Sequence, residues 1–182
     1  MSKASSSFVS KIPTAEDLKE TDFIGYEHMS SDSNVIAIWN KNEKVELANE
    51  PQEYFIALNQ TSIYAESGGQ VGDRGMFKSK NAEGSILDCK KSGKVFMHLI
   101  KLDKGCLKID DKIEVNVNKE KRDKTEAHHS ATHLVHAALK RVLGDHVKQK
   151  GSLVDEHKLR FDFSHDESLS DEEISKIEDL VN

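Results

Sequence analysis

The chain has 182 residues, of which 36% are apolar and 32% charged, with a net charge of −6. That length allows one domain of ordinary size or two small ones with a real core, and the hydrophilic but globular composition excludes both a membrane span and a low-complexity polymer. Net acidity argues against a protein that wraps nucleic acid over its whole surface. The charge is uneven, however: residues 111–160 carry 11 Lys and Arg against 8 Asp and Glu, and residues 161–182 carry 1 against 8. A modest basic stretch ahead of an acidic end permits a local phosphate-facing surface.

Residues 1–21 read as a linker or disordered tail: Ser5-Ser6-Ser7 is low in complexity, and Pro13 to Leu18 is at most a short capped helix. The start, Met1 to Lys11, is polar and Ser-rich, so it is neither a signal peptide nor an anchor, and a cytoplasmic protein is expected. Cys89 and Cys106 do not form a Cys-x-x-Cys pair, so free thiols are expected rather than a disulfide framework or zinc ribbon.

From residue 22 to 120, short runs rich in β-branched and aromatic residues alternate with turn residues. Val35–Trp39, Val45–Leu47, Tyr54–Leu58, Ser85–Cys89, Val95–Leu99 and Ile113–Val117 fit strands, with hairpin turns at Asn40–Glu43 and Ser92-Gly93. Many short strands without a helical period between them predict a small antiparallel barrel or sandwich. His98 lies in one of these strands, and no chemical role is expected of it. One loop stands out, Tyr64-Ala65-Glu66-Ser67-Gly68-Gly69-Gln70-Val71-Gly72-Asp73-Arg74-Gly75, whose glycines allow positive φ and close backbone approach. No Gly-Lys-Ser/Thr follows it, so it is not a phosphate-binding P-loop; by itself it reads as a bulged connection between strands.

The organisation changes after Lys119. A charged run to Glu126 suits a boundary or a solvated first helical turn, and the most convincing helix of the chain then runs to Leu143, where Gly144 caps it. At 100° per residue, Ala131, Leu134, Val135, Ala138, Leu139 and Val142 gather on one face, and His129, His133 and His136 form a stripe on the other. Histidines at i and i+4 sit one turn apart, close enough for both imidazoles to bind one divalent ion, which makes half of a tetrahedral site. The metalloprotease pattern is absent, because Ser130 stands where its general-base Glu would be. Taken alone, a bare pair of this kind reads first as a solvated, histidine-rich face and only second as a metal site.

Val147–Val154 and Leu159–Phe163 follow, the second alternating apolar and charged residues, so the two predict a hairpin. A helix laid on that hairpin by its apolar face would turn the histidine stripe away from the sheet. His146 and His157 fall in connections and are expected in solvent. Ser170-Asp171-Glu172-Glu173 is a capping box ahead of Ile174, Ile177, Leu180 and Val181 at helical spacing. Because this apolar face has only just begun at Asn182, a longer parent chain is expected.

Three segments in this order resemble the alanyl-tRNA synthetases: Tyr64–Asp73, His129-Ser130-Ala131-Thr132-His133-Leu134-Val135-His136 through Leu139, and Gly151–Val154 with Leu159–His165. The resemblance implies an α+β chain: a small antiparallel β-barrel over 22–120, then the first part of an α/β editing domain (helix, hairpin, helix) over 121–182. In that family the editing domain hydrolyses alanine tRNA mischarged with serine or glycine. The resemblance makes His129 and His133 the first two zinc ligands, places Thr132 and Gln149 in the editing pocket, and sets Gly68 to Gly75 near its mouth. Thr132 is the candidate for reading the hydroxyl of a serine ester, since a polar group distinguishes serine from alanine where an apolar pocket does not; Gln149 is the candidate for positioning the substrate.

The family completes its zinc site with a downstream Cys-x3-His pair, and here no cysteine follows Cys106. The expected site is therefore incomplete, and zinc would be held loosely. The ATP-dependent aminoacylation core would lie upstream, so this chain by itself is expected neither to charge tRNA nor to edit efficiently. The implied partners are alanine tRNA and the remainder of a synthetase chain, with no DNA and no membrane. Two other readings share these motifs: a non-catalytic RNA-binding module using segment 119–150 and the barrel surface, and a free-standing hydrolase that edits in trans.

Overall fold

The structure, a computed structural model, describes residues 12–182. It divides into two compact units, one holding the chain up to Ala65 together with Gly72–Asn118, the other holding Glu66–Val71 and Lys119–Asn182. The fold is α+β. Among the described residues no helix is long and apolar enough to cross a membrane.

The first unit is all β: β1 (Asp22–Phe23), β2 (Ser30–Asn40), β3 (Glu43–Val45), β4 (Leu47–Ala48), β5 (Glu53–Leu58), β6 (Gln60–Thr61), β7 (Gly75–Ser79), β8 (Ala82–Ser92), β9 (Val95–Gly105), β10 (Leu107–Lys108) and β11 (Lys112–Val117). The main sheet runs β11-β7-β8-β9-β5-β2-β3, and β11 also pairs with β2. Six strands thus close on themselves, every neighbour antiparallel, and closure leaves the barrel without an open edge. The expected strands are present except Val45–Leu47, which is broken at Glu46 between β3 and β4. The sequence reading missed the two-residue strands β1, β6 and β10, and β7, where only Phe77 of its five residues is buried.

The interior is filled by Val35, Ile38, Ile56, Leu58, Phe77, Ile86, Ile100, Leu102 and Ile113. Val35 and Ile38 are three apart yet both face inward, which a regular strand does not permit; a register shift between Val35 and Ala37 supplies the extra residue. That shift turns Ala37 and Trp39 outward, where they form a second cluster with Phe55, Ala57, Val95 and Met97. Ala15, within the span read as a linker, is fully buried in this cluster, and Ile12 and Leu18 pack against it. Residues 1–11 lie outside the described residues. Cys89 is buried and free, Cys106 half-buried and free.

His98 takes its place inside the barrel on the same side of β9 as Phe96 and Ile100. It is fully buried, with Nε2 2.9 Å from Thr61 Oγ1 and Nδ1 3.4 Å from the Ile56 carbonyl. Burial drives its pKa down to about 4 although the carbonyls of Ile56 and Phe96 favour the charged form. It is a neutral, hydrogen-bonded core histidine.

The second unit comprises α1 (Lys119–Leu143), β12 (Gln149–Val154), β13 (Leu159–Phe163) and α2 (Asp171–Val181). α1 starts earlier than its apolar pattern suggests, because the charged run forms i,i+4 pairs, Lys119 with Asp123 at 2.6 Å and Lys124 with Glu120 at 2.7 Å. It stops at the expected Gly144, whose φ of +113° suits glycine and whose N–H bonds the Lys140 carbonyl at 2.9 Å. β12 and β13 are antiparallel, with an irregularity between Gln149 and Gly151. Their connection is pinned by Asp155, whose carboxylate accepts from the His157 and Lys158 amides at 2.7 and 2.8 Å. α2 has the expected capping box: Ser170 Oγ accepts from Glu173 N, and the Glu173 carboxylate accepts from Ser170 N.

The buried face of α1 differs from the expected one. Arg122, Thr125, Thr132, Ala138 and Leu139 are buried, whereas Leu134 is 54% exposed. The histidine stripe is split: His133 is exposed, His129 and His136 are half-buried, and the His136 ring lies 5.1 Å from that of Phe161 on β13. An imidazole presents an apolar ring and two polar tips, so it packs on an aromatic sheet and still seeks hydrogen bonds, a behaviour that a hydrophobic count does not score.

Candidate functional site

The candidate site is built inside the second unit, from α1, β12 and the glycine-rich segment Glu66–Val71. That segment is a turn of two glycines: Gly68 and Gly69 have φ of +60° and +87°, and Ser67 and Gln70 exchange backbone hydrogen bonds of 3.1 and 3.0 Å across them. Positive φ at both central residues is the geometry that favours Gly-Gly in a two-residue hairpin. The turn then joins the free side of β12. Val154 N donates to the Gly69 carbonyl at 2.8 Å, Val71 N donates to the Val154 carbonyl at 3.0 Å, and Ser152 Oγ donates to the Gly68 carbonyl at 3.2 Å. A Cβ on Gly69 would stand 2.2 Å from Ser152 Oγ and 2.6 Å from its carbonyl oxygen, so only glycine permits this approach. The loop is tied to the hairpin by a single parallel bridge, Gln70 to Val154.

Docking the turn on β12 leaves Gln70 only 8% exposed and aims its side chain at α1. Gln70 Oε1 is 2.5 Å from His129 Nδ1. A carbonyl oxygen only accepts, so this contact calls for the imidazole N–H on Nδ1, the tautomer whose lone pair is on Nε2. The His133 ring lies 5.0 Å from that of His129, centroid to centroid, as i,i+4 spacing on a helix dictates. His128, the neighbouring histidine, is engaged elsewhere, its Nδ1 2.7 Å from the Asp155 carbonyl.

Thr132 is buried, and its hydroxyl donates to the His128 carbonyl one turn back at 2.9 Å. With its proton so used, Thr132 Oγ1 presents lone pairs only. Gln149 is exposed at the start of β12, its amide donating to Ser152 Oγ at 3.2 Å. The four residues singled out from sequence therefore lie on α1 and β12, two elements that pack on each other. His129 and His133 come together directly. Gln70, read only as part of a glycine-rich, bulged connection, is the member that sequence reasoning missed; the signal for it was the Gly-Gly pair, which marks a tight turn with residues paired on either side.

The paired imidazoles suit a zinc ion as two of its ligands. Among the described residues no group of three or more His, Cys, Asp or Glu is assembled that could hold a metal. His146, expected in solvent, is paired with another histidine: its Nε2 is 2.9 Å from His165 Nδ1, and the rings stack.

A β-barrel followed by a helix with paired histidines is a composite of specific parts, and comparison with known proteins gives its class. The chain belongs to the class II (A) tRNA synthetases, whose sequence profile matches residues 2–121. Within that class it is similar to the alanine–tRNA ligase of Pseudomonas fluorescens, with 46% identity over 162 residues, a match covering 89% of this chain and 18% of that relative. The resemblance to alanyl-tRNA synthetases read from the three motifs is borne out. The chain spans under a fifth of the length of the curated relative it matches.

Proposed function

We propose that this chain supplies an alanine–tRNA ligase with its barrel and with the opening part of a zinc-dependent module that hydrolyses alanine tRNA mischarged with serine or glycine, the ATP-dependent charging chemistry lying elsewhere in the whole protein. The observation that carries the reading is the site on α1: two imidazoles one turn apart, His129 with its Nδ1 already engaged and its Nε2 left for a metal. A zinc ion held by His129 and His133, with further ligands beyond these two, would polarise the ester carbonyl or activate a water.

The chain's own residues divide the remaining work. Thr132 accepts a hydrogen bond from the serine hydroxyl, because its own proton is held by the His128 carbonyl and it has only lone pairs to offer. An alanine ester has no donor to give it and leaves the buried oxygen unmatched, which is the basis for rejection. Gln149, exposed at the rim, orients the incoming ester. Alanine tRNA is the polynucleotide partner, held in part by the basic stretch 119–150.

The test is hydrolysis of seryl and alanyl esters of alanine tRNA by the full-length protein. His133→Ala should abolish hydrolysis of the seryl ester and leave alanine charging intact. Thr132→Val should narrow the preference for seryl over alanyl esters; unchanged discrimination would sink the role given to Thr132. Seryl-ester hydrolysis that survives loss of both His129 and His133 would sink the zinc-dependent reading itself.

A further inference from the structure

We propose that Gln70 is a positioning residue for the metal-binding histidine His129: its side-chain carbonyl holds the Nδ1 proton and thereby presents Nε2 as the ligand atom. This assignment rests on the reading of His129 as a ligand given above. Three observations lead to it. Gln70 is nine-tenths buried, so its amide must be matched by partners. Its Oε1 lies 2.5 Å from Nδ1 of one histidine of the candidate pair. Its backbone is fixed independently of its side chain, by Ser67 across the turn and by the isolated bridge to Val154.

The physical reason for such a residue is general. A neutral imidazole exchanges its proton between two nitrogens, and only the tautomer with the lone pair on the metal-facing nitrogen binds. An oxygen acceptor on the other nitrogen selects that tautomer and fixes the ring's rotation before the ion arrives. Here the acceptor comes from a segment 59 residues earlier in the chain. The Gly-Gly turn accordingly acquires a purpose: it lets the backbone approach β12 closely enough to bring a glutamine against α1. The loop then acts on the site through His129.

The experiment reads the tautomer directly, by long-range nitrogen–proton NMR of the histidine side chains in the metal-free chain, at a pH where free imidazole is neutral. His129 should show the proton on Nδ1. Gln70→Leu should move it toward the Nε2–H form that dominates in free imidazole, while His98 and the other histidines keep their signals. Gln70→Glu, which retains an oxygen acceptor, should restore the Nδ1–H form. Unshifted Val71 and Val154 amide signals show that the turn itself is intact. A wild-type chain with the proton on Nε2, or a Gln70→Leu chain with an unchanged tautomer, overturns the proposal.

The second readout is zinc affinity of the full-length protein by competition with a chelator. Gln70→Leu should weaken it roughly 10- to 100-fold, and Gln70→Glu should recover most of the loss. Unchanged affinity in Gln70→Leu overturns the positioning role. If the wild type holds no zinc while His129 keeps its proton on Nδ1, the zinc reading fails and the tautomer assignment stands, so the two failures are distinguishable.

Discussion

The two units use histidine in opposite ways, and the contrast shows what each is built for. In the barrel, His98 is sealed among apolar side chains, bonded to Thr61, and held neutral by burial. In the second unit, His129 is half-buried, one nitrogen matched by Gln70 and the other available. The cores differ likewise. The largest fully buried side chains, from Trp39 and Phe77 to Ile113, all belong to the barrel, whereas α2 has no buried residue and α1 buries Arg122, Thr125 and Thr132 alongside Ala138 and Leu139. A closed barrel derives its stability from its own interior. The helical unit spends its best-protected helix face on polar groups, which is where local consistency is expected to give way to function.

The largest predicted effect sharpens this contrast. Ile56→Ala, a truncation in the barrel interior, should cost about 2–5 kcal/mol in the urea unfolding of the barrel, and Ile177→Ala on the half-exposed face of α2 should cost under about 1 kcal/mol. Equal costs, read from the unfolding midpoints, would remove the distinction between a packed and a thinly packed unit. Next in size is the acid response of the barrel. The His98 pKa is lowered from 6.5 to about 4, so between those values the unfolded chain binds a proton that the folded barrel does not. Stability is therefore full above pH 6.5 and falls as the pH drops toward 4, by roughly 3 kcal/mol from this residue. Comparing the unfolding midpoints of wild type and His98→Gln at pH 7 and pH 4.5 checks it: the variant should lose less on acidification.

Two smaller effects probe the helical unit. Gly69→Ala places a methyl group against Ser152 in a left-handed backbone conformation, so it should cost more than about 1 kcal/mol. Faster hydrogen exchange at the Val71 and Val154 amides would locate that loss where the turn joins β12; unchanged exchange would contradict the close approach described. Ser170→Ala removes the α2 cap and should cost about 1 kcal/mol, visible as fraying of residues 171–174. The Glu173 carboxylate is held below its ordinary range by the Ser170 backbone and hydroxyl donors. The cap should therefore be complete above about pH 4.5 and weaken as pH falls below that value. In Ser170→Ala that pH dependence should shrink.

Much of this was legible in the residues. The strands of the barrel follow from their β-branched and aromatic runs, Gly144 from the need for positive φ at a helix end, and the α2 cap from Ser170 and Glu173 at their fixed spacing. His129 and His133 had to be neighbours wherever α1 formed, since the helix repeat alone puts i and i+4 together. These are properties of a few consecutive residues, and local sterics and local hydrogen bonds decide them. Which face of α1 would be buried was not legible, because imidazole and threonine pack or dissolve according to what meets them. Nor was barrel closure through β11 and β2, or the seat of Gln70 against His129, 59 residues away. Those depend on non-local pairing, in which the register of one element and the backbone approach of another jointly set where a side chain's atoms fall. Sequence determined that two histidines would stand side by side, and only the tertiary structure decided that Gln70 meets one of them, at Nδ1 of His129.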